Sequence, residues 1–177
     1  RIFQAYGGQI CVHAESQKRM DERRKKFAHI EDPAIHSKIR DSETAAQALA
    51  LAASLAVEFE RSLHILHVSS REELHGLRAA REEIQGTGNR ARITAEVCPH
   101  HLFMDVDAYT MWGTRVQMNP PLRSAEDREA MWDGLNRGEL EMIATDHAPH
   151  LPVEKAQPYG EAPSGVPGVE TMLPLML

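Results

Sequence analysis

Three metal-competent side chains stand directly after short apolar runs: His13 after Gln9-Ile10-Cys11-Val12, His67 after Leu63-His64-Ile65-Leu66, and Asp146 after the run from Glu141 to Thr145. Two imidazoles and a carboxylate suit zinc or a similar divalent ion, which lowers the pKa of bound water to about 7 and polarises a carbonyl. If the three runs are parallel strands, alternation pairs His13 with Cys11, His67 with Ile65 and Asp146 with Ala144, and the three aim together at one end of a sheet. Taken singly, each also fits a strand-end histidine or a helix-capping aspartate. Asn119 precedes Pro120-Pro121, a stiff pair that would fix its amide for hydrogen bonding to a flat polar ring. The remaining histidines read more plainly. His29, His36 and His75 lie in polar surroundings and are expected on the surface, His64 is expected under a helix, His100 and His101 in structural loop roles, and His147 behind the site.

The elements that would position these groups alternate. A strand over Gln9–Val12 is followed by a charge-dense stretch from Ser16 to Lys26, read as a solvated face, and by a helix from Ser42, taken as its N-cap, to Glu60. Leu63 to Val68 is a second strand. In Ser69-Ser70-Arg71-Glu72-Glu73 a Ser three residues before a Glu makes a capping box for a helix to about Gln85, and Arg92 to Val97 is a third strand. Arg115 to Met118 reads as a short further strand. Ser124-Ala125-Glu126-Asp127 opens a helix to about Arg137, and Glu141 to Thr145 is the last strand. Strand and helix at this spacing indicate right-handed βαβ units on a parallel sheet, open or part of a closed barrel. No GxGxxG or GxxxxGK[ST] follows a strand, which removes the usual nucleotide sites and favours the barrel. In a barrel, strand ends converge on the face that carries active sites. Ala148 to Gly168, rich in Pro and Gly, reads as one long functional loop. Trp112, Trp132 and the methionines read as packing side chains, and Cys11 and Cys98 as buried strand residues.

The 177 residues, 42% hydrophobic and 26% charged, fit one globular domain. A net charge of −6 gives no pull toward nucleic acid or anionic membrane, and no segment approaches the roughly 20 apolar residues of a membrane span. Two distant cysteines without a CxxC fit a reducing, cytoplasmic setting. A start at Arg1 without Met and an end inside an apolar run read as a chain cut at both ends.

The local motifs His13-Ala14-Glu15, His67-Val68-Ser69-Ser70, Asn119-Pro120-Pro121-Leu122-Arg123 and Thr145-Asp146-His147-Ala148-Pro149-His150 resemble, in order, those of the metal-dependent amidohydrolase superfamily. Ala95 to Leu102 and Pro163 to Glu170 extend the likeness over essentially the whole chain. The Asn-Pro-Pro-Leu-Arg and Asp-His-Ala-Pro-His forms are most similar to the dihydroorotase branch of cyclic amide hydrolases.

That resemblance implies a partial (β/α)8 barrel, roughly strands five to eight, over residues 1–177. It implies two zinc ions in the complete enzyme, with His13 and His67 holding one and Asp146 ligating the other and acting as general acid/base. Asn119 and His150 would contact the substrate, and backbone groups near Ser164 and Gly165 would meet the pyrimidine ring. The small-molecule substrate would be dihydroorotate, hydrolysed reversibly to N-carbamoyl-aspartate in pyrimidine biosynthesis. Partners implied are a second copy of the chain or aspartate transcarbamoylase. The family's His-x-His pair and its bridging Asp or carboxylated Lys are not in this sequence, so the chain alone is expected to be catalytically incomplete. Hydantoinase, dihydropyrimidinase or allantoinase, and a non-catalytic dihydroorotase-like subunit, are the alternatives; Asn119 and His150 weigh against the first group.

Overall fold

The computed structural model describes residues 2–177. Four parallel strands, β1 (Ile10–Val12), β2 (Ser62–Ile65), β3 (Arg92–Val97) and β4 (Met142–Ile143), form one sheet in chain order. Helices α1 (Ile2–Ala5), α2 (Gln17–Lys26), α3 (Ile35–Ile39) and α4 (Ser42–Glu58) precede β2, and α5 (Arg71–Thr87) links β2 to β3. Between β3 and β4 come α6 (Pro99–Phe103), α7 (Ala108–Trp112), a 3-10 turn (Gly113–Val116) and α8 (Ala125–Asn136); α9 (Pro152–Lys155) and α10 (Val169–Met176) follow. No helix among the described residues is long and apolar enough to cross a membrane.

Cap chemistry sets most of these limits. Ser70 accepts from the Glu73 N–H at the start of α5, which ends at Gly88 with φ +69°, a left-handed conformation that costs glycine little. Ser124 and Asp127 form the expected reciprocal box on α8. At α4 the cap is one residue earlier than expected: Asp41, not Ser42, accepts from the Thr44 N–H, and its carboxylate also takes the Arg19 guanidinium at 2.8 and 2.6 Å. A hydroxyl cannot take that ion pair. The strand expected at Arg115–Met118 is instead the 3-10 turn. The edge of β3 is already occupied by β4, and the Thr114 hydroxyl donates to the Lys155 carbonyl at 2.7 Å, tying this segment to α9. The long loop holds α9 and a parallel bridge between His147 and Val166.

One face of the sheet carries the main core. Leu63 and Ile65 of β2 and Ile93, Ala95 and Val97 of β3 pack with Leu49, Ala53 and Ala56 of α4, Leu74 and Leu77 of α5, and Met131 of α8. Full burial of each Leu, Ile, Val or Met side chain here contributes about 1.5–3 kcal/mol. A smaller cluster of Tyr109, Val116, Met118, Leu122 and Val166 supports the Asn119 segment. The opposite face bears Cys11, His64, Thr94 and Glu96, as the register pairs Cys11 with His64 and His64 with Thr94. His64 therefore does not lie under a helix. Its Nδ1 is 2.8 Å from the Thr94 hydroxyl and its Nε2 is 3.0 Å from Glu96. Cys11, expected to be buried, is exposed on this uncovered face, and Trp112 is also exposed. A closed barrel turns this face inward, and here β1 and β4 are its open edges.

Candidate active site

His13 and His67, 54 residues apart, meet beyond the ends of β1 and β2. His13 Nδ1 is 2.9 Å from His67 Nε2, and the rings cross edge-on with centroids 4.7 Å apart. Alternation alone does not bring them together. Ile65 faces the helices and Cys11 the other side, so regular β geometry continued from Ile65 would send the His67 ring into the helix layer. The His67 backbone instead adopts φ +37°, a left-handed conformation that costs a non-glycine residue about 1–3 kcal/mol and redirects the side chain. Asp146 has the same device, at φ +44°.

The far side of the His13 ring is fixed. Its Nε2 lies 2.8 Å from Glu15 Oε2, and Glu15 is also paired with Arg40. Burial by itself raises the Glu15 pKa, but the hydrogen bond with His13 and the Arg40 charge outweigh it and leave the pKa lowered. A carboxylate on Nε2 leaves the Nδ1 lone pair of neutral His13 facing His67, the arrangement seen where carboxylates orient metal-binding histidines. Burial, then the neighbouring His13, lowers the His67 pKa, so the ring favours its neutral, ligating form. Its Nδ1 is buried with no partner among the described residues. The two rings thus fit a divalent ion. Asp146 is exposed, and its charge opposes part of the lowering at His67. Among the described residues, no three His, Cys, Asp or Glu side chains form a ready metal cluster.

The second group of residues meets on the long loop. His150 Nε2 lies 3.1 Å from the Ser164 carbonyl oxygen, and a Cβ on Gly165, at φ +135°, would stand 2.7 Å from the Ala148 carbonyl oxygen. Gln117 clamps this corner: its carbonyl accepts from Gly165 N–H at 2.9 Å and its Nε2 donates to Ser164 Oγ at 3.0 Å and to the Ala162 carbonyl at 3.1 Å. Lys155, buried, donates to the Gln117 and Pro163 carbonyls at 2.9 Å each, and burial pulls its pKa down to about 8. Sequence reasoning missed both. The signal was slight, a polar residue between Val116 and Met118 and one basic side chain in a Pro-rich loop.

Asn119 is half-buried beside His36, with Oδ1 2.9 Å from His36 Nε2. His36, expected on the surface, is 6% exposed, because α3 folds back under the Asn119 segment. His29 and His75 are exposed as expected. His101 Nε2 donates to the Pro120 carbonyl at 3.2 Å, and His147 Nδ1 accepts from the Gly168 and Val169 N–H groups at the start of α10. A cleft of about 460 Å³ opens beside this region, with Arg24, His36, Arg40, Tyr159 and Ser164 in its wall. It does not reach His13; the two halves of the site touch through the Glu15–Arg40 ion pair.

No family model matches the chain. It is 36% identical over 171 residues to the dihydroorotase of Methanosarcina mazei, covering 97% of this chain and 38% of that protein. It is 40% identical over 168 residues to the dihydroorotase of Halobacterium salinarum, covering 95% of this chain and 36% of that protein. The L-hydantoinase (dihydropyrimidinase) structure of Arthrobacter aurescens superposes with a TM-score of 0.87 at 30% identity, over 99% of this chain and 39% of that one. The chain thus spans well under half the length of the proteins it matches. Its four-stranded parallel sheet is part of a larger amidohydrolase barrel, and the chain belongs to the dihydroorotase and hydantoinase branch of the amidohydrolase superfamily.

Proposed function

We propose that the protein, in its full natural length, is a dihydroorotase that hydrolyses the cyclic amide of dihydroorotate to N-carbamoyl-aspartate and runs the reverse closure. The observation that carries this is the meeting of His13 and His67 at 2.9 Å, with Glu15 fixing the far nitrogen of His13. His13 and His67 would hold one zinc ion and Asp146 would reach a second. When bound, the metal supplies Lewis acidity and a hydroxide at neutral pH, which an amide, a poor electrophile, requires.

The chain's own groups do the rest. Asp146 takes the proton from the attacking water and delivers it to the ring nitrogen as the carbon–nitrogen bond breaks. Asn119 hydrogen-bonds the ring, His150 holds the substrate carboxylate, and the Ser164–Gly165 backbone meets the ring edge. The Gln117 and Lys155 clamp supports these last contacts, since it fixes the segment before substrate arrives. Residues 1–177 act as one partial barrel domain within the cytosol, a setting that the two free cysteines support. The partner in this reading is a second copy of the chain or aspartate transcarbamoylase.

A second reading, hydrolysis of hydantoins or dihydropyrimidines, is favoured by the TM-score of 0.87 to the Arthrobacter hydantoinase. One assay separates the two. The natural-length protein is given N-carbamoyl-aspartate, dihydroorotate, hydantoin and dihydrouracil, with and without chelator, beside its His13→Ala form. Chelator-sensitive turnover of the first pair, lost in His13→Ala, supports the dihydroorotase reading. Turnover of the second pair alone replaces it, and no turnover of any leaves a non-catalytic subunit.

A further inference from the structure

His36 is a buried polar group that the proposed reaction leaves unused. Its Nε2 lies 3.1 Å from the Met118 carbonyl oxygen and 2.9 Å from Asn119 Oδ1, and its Nδ1 lies 3.2 Å from the Tyr159 hydroxyl. A main-chain carbonyl can only accept, so Nε2 carries the hydrogen and shares it between the two oxygens. Burial lowers the His36 pKa to about 4, and a neutral ring with hydrogen on Nε2 has a bare lone pair on Nδ1. The Tyr159 hydroxyl therefore donates to Nδ1.

The same carbonyl settles which way Asn119 points. Oxygen and nitrogen of an amide look alike in shape, and only the network tells them apart. Turned the other way, Asn119 would bring its NH2 against the Nε2–H, donor against donor, at 2.9 Å. With Oδ1 on the imidazole, the two hydrogens of Asn119 Nδ2 face away from His36, and among the described residues no protein acceptor takes them.

The geometry points to His36 as a positioning residue: through the Tyr159–His36–Asn119 relay, the imidazole engages Asn119 Oδ1 and leaves both Nδ2 hydrogens for the site, so the site favours a ligand with a carbonyl or carboxylate oxygen at that place over one with a ring N–H. Tyr159 sits on the loop that also carries His150 and Ser164, so the relay joins that loop to the Asn119 segment. The inference rests on the proposed reading of Asn119 as a substrate contact. The tautomer and the amide direction stand apart from it.

The test has two parts, both on the natural-length protein. Nitrogen-15 spectra of the histidine rings should give His36 a protonated Nε2 and a lone-pair Nδ1, unchanged from pH 6 to 8. In kinetics, His36→Ala should raise KM for dihydroorotate about tenfold, the loss of one orienting hydrogen bond, with kcat within about threefold. His36→Gln, which can place an N–H near the Nε2 position, should recover most of that loss. Asn119→Asp, with acceptors only, should raise KM at least as far as His36→Ala.

A protonated Nδ1 on His36 overturns the relay whatever the activity. Equal KM losses in His36→Ala and His36→Gln overturn it as well, provided both melt near the unmodified protein; if either does not, the spectra of the unmodified protein decide. The predicted tautomer in a protein that turns over none of the cyclic amides leaves the relay standing and sinks the functional reading instead.

Discussion

Replacing Arg123 by alanine tests the argument where it is most exposed, because the guanidinium is buried beside a buried carboxylate. Glu73 is 1% exposed and accepts from the Ser69 N–H at 3.1 Å and from the Ser69 and Ser70 hydroxyls at 3.0 and 2.9 Å. Burial raises its pKa, and the Arg123 charge is the first influence that pulls it back. Arg123 reaches Ser69 Oγ at 3.2 Å and bonds the Arg40 carbonyl, so it ties the segment after His67 to the end of α3 and to the Asn119 turn. Removing one partner of a buried charge set costs about 3–5 kcal/mol. The sign with pH follows from Glu73. A carboxyl with a raised folded pKa contributes stability below its unfolded value near 4.5, and that contribution is lost as pH rises through the folded value. Arg123→Ala raises the folded value further, at about 1.4 kcal/mol per unit. Its destabilisation should therefore be smallest near pH 4 and grow toward pH 8. Urea unfolding of the wild type and Arg123→Ala at pH 4, 6 and 8 measures this. A cost under about 1 kcal/mol at pH 8, or one that does not change with pH, would refute the reasoning.

Asp41→Ala removes the α4 cap and the Arg19 partner and should cost about 1 kcal/mol at pH 7, read by thermal melting. The Asp41 pKa is lowered to about 2 by hydrogen bonds from Arg19 and Thr44 that outweigh burial, so this contribution is full above about pH 4 and fades as pH falls toward 2. Leu77→Ala opens a cavity under a side chain with 0% exposure and should cost about 2–5 kcal/mol in the same urea assay. Gly165→Ala forces a Cβ to 2.7 Å from the Ala148 carbonyl at φ +135°, so about 1–3 kcal/mol of strain should lower the urea midpoint and, on the proposed reading, raise KM for the cyclic amide about tenfold. An unchanged KM would remove Gly165 from the recognition surface.

The parts of the fold that short-range chemistry dictates were legible in the sequence. Apolar runs marked the four observed strands, the Ser69-Ser70 pair marked the start of α5, and Ser124 marked that of α8 to the residue. What failed had a long-range cause. Arg115–Met118 has strand composition, but the neighbouring edge belongs to β4, and its hydrogen bonds go to the α9 loop. His36 looks like a surface residue in a polar stretch. Its burial follows from Met118 and Asn119, 82 and 83 residues later, folding onto α3. Cys11 has the hydrophobicity of a core residue, yet it is exposed on the sheet face opposite the helices.

The meeting of His13 and His67 was legible from their types and positions, although alternation was the wrong reason for it. The actual cause is the left-handed backbone at His67, a device repeated at Asp146, and such strain persists only where the surroundings over-determine it. Here they do. Leu66 N–H bonds the Val12 carbonyl at 3.1 Å and Val68 N–H bonds the Glu96 carbonyl at 2.8 Å, so the chain on both sides of His67 is pinned to neighbouring strands. Around Asp146, Ala144 N–H bonds the Val97 carbonyl at 3.0 Å and Ala148 N–H bonds the Val166 carbonyl at 3.1 Å. Neither residue can relax into regular β geometry without breaking two main-chain hydrogen bonds. Each flanking bond has its partner among the described residues, in the sheet for His67 and in the sheet and the long loop for Asp146.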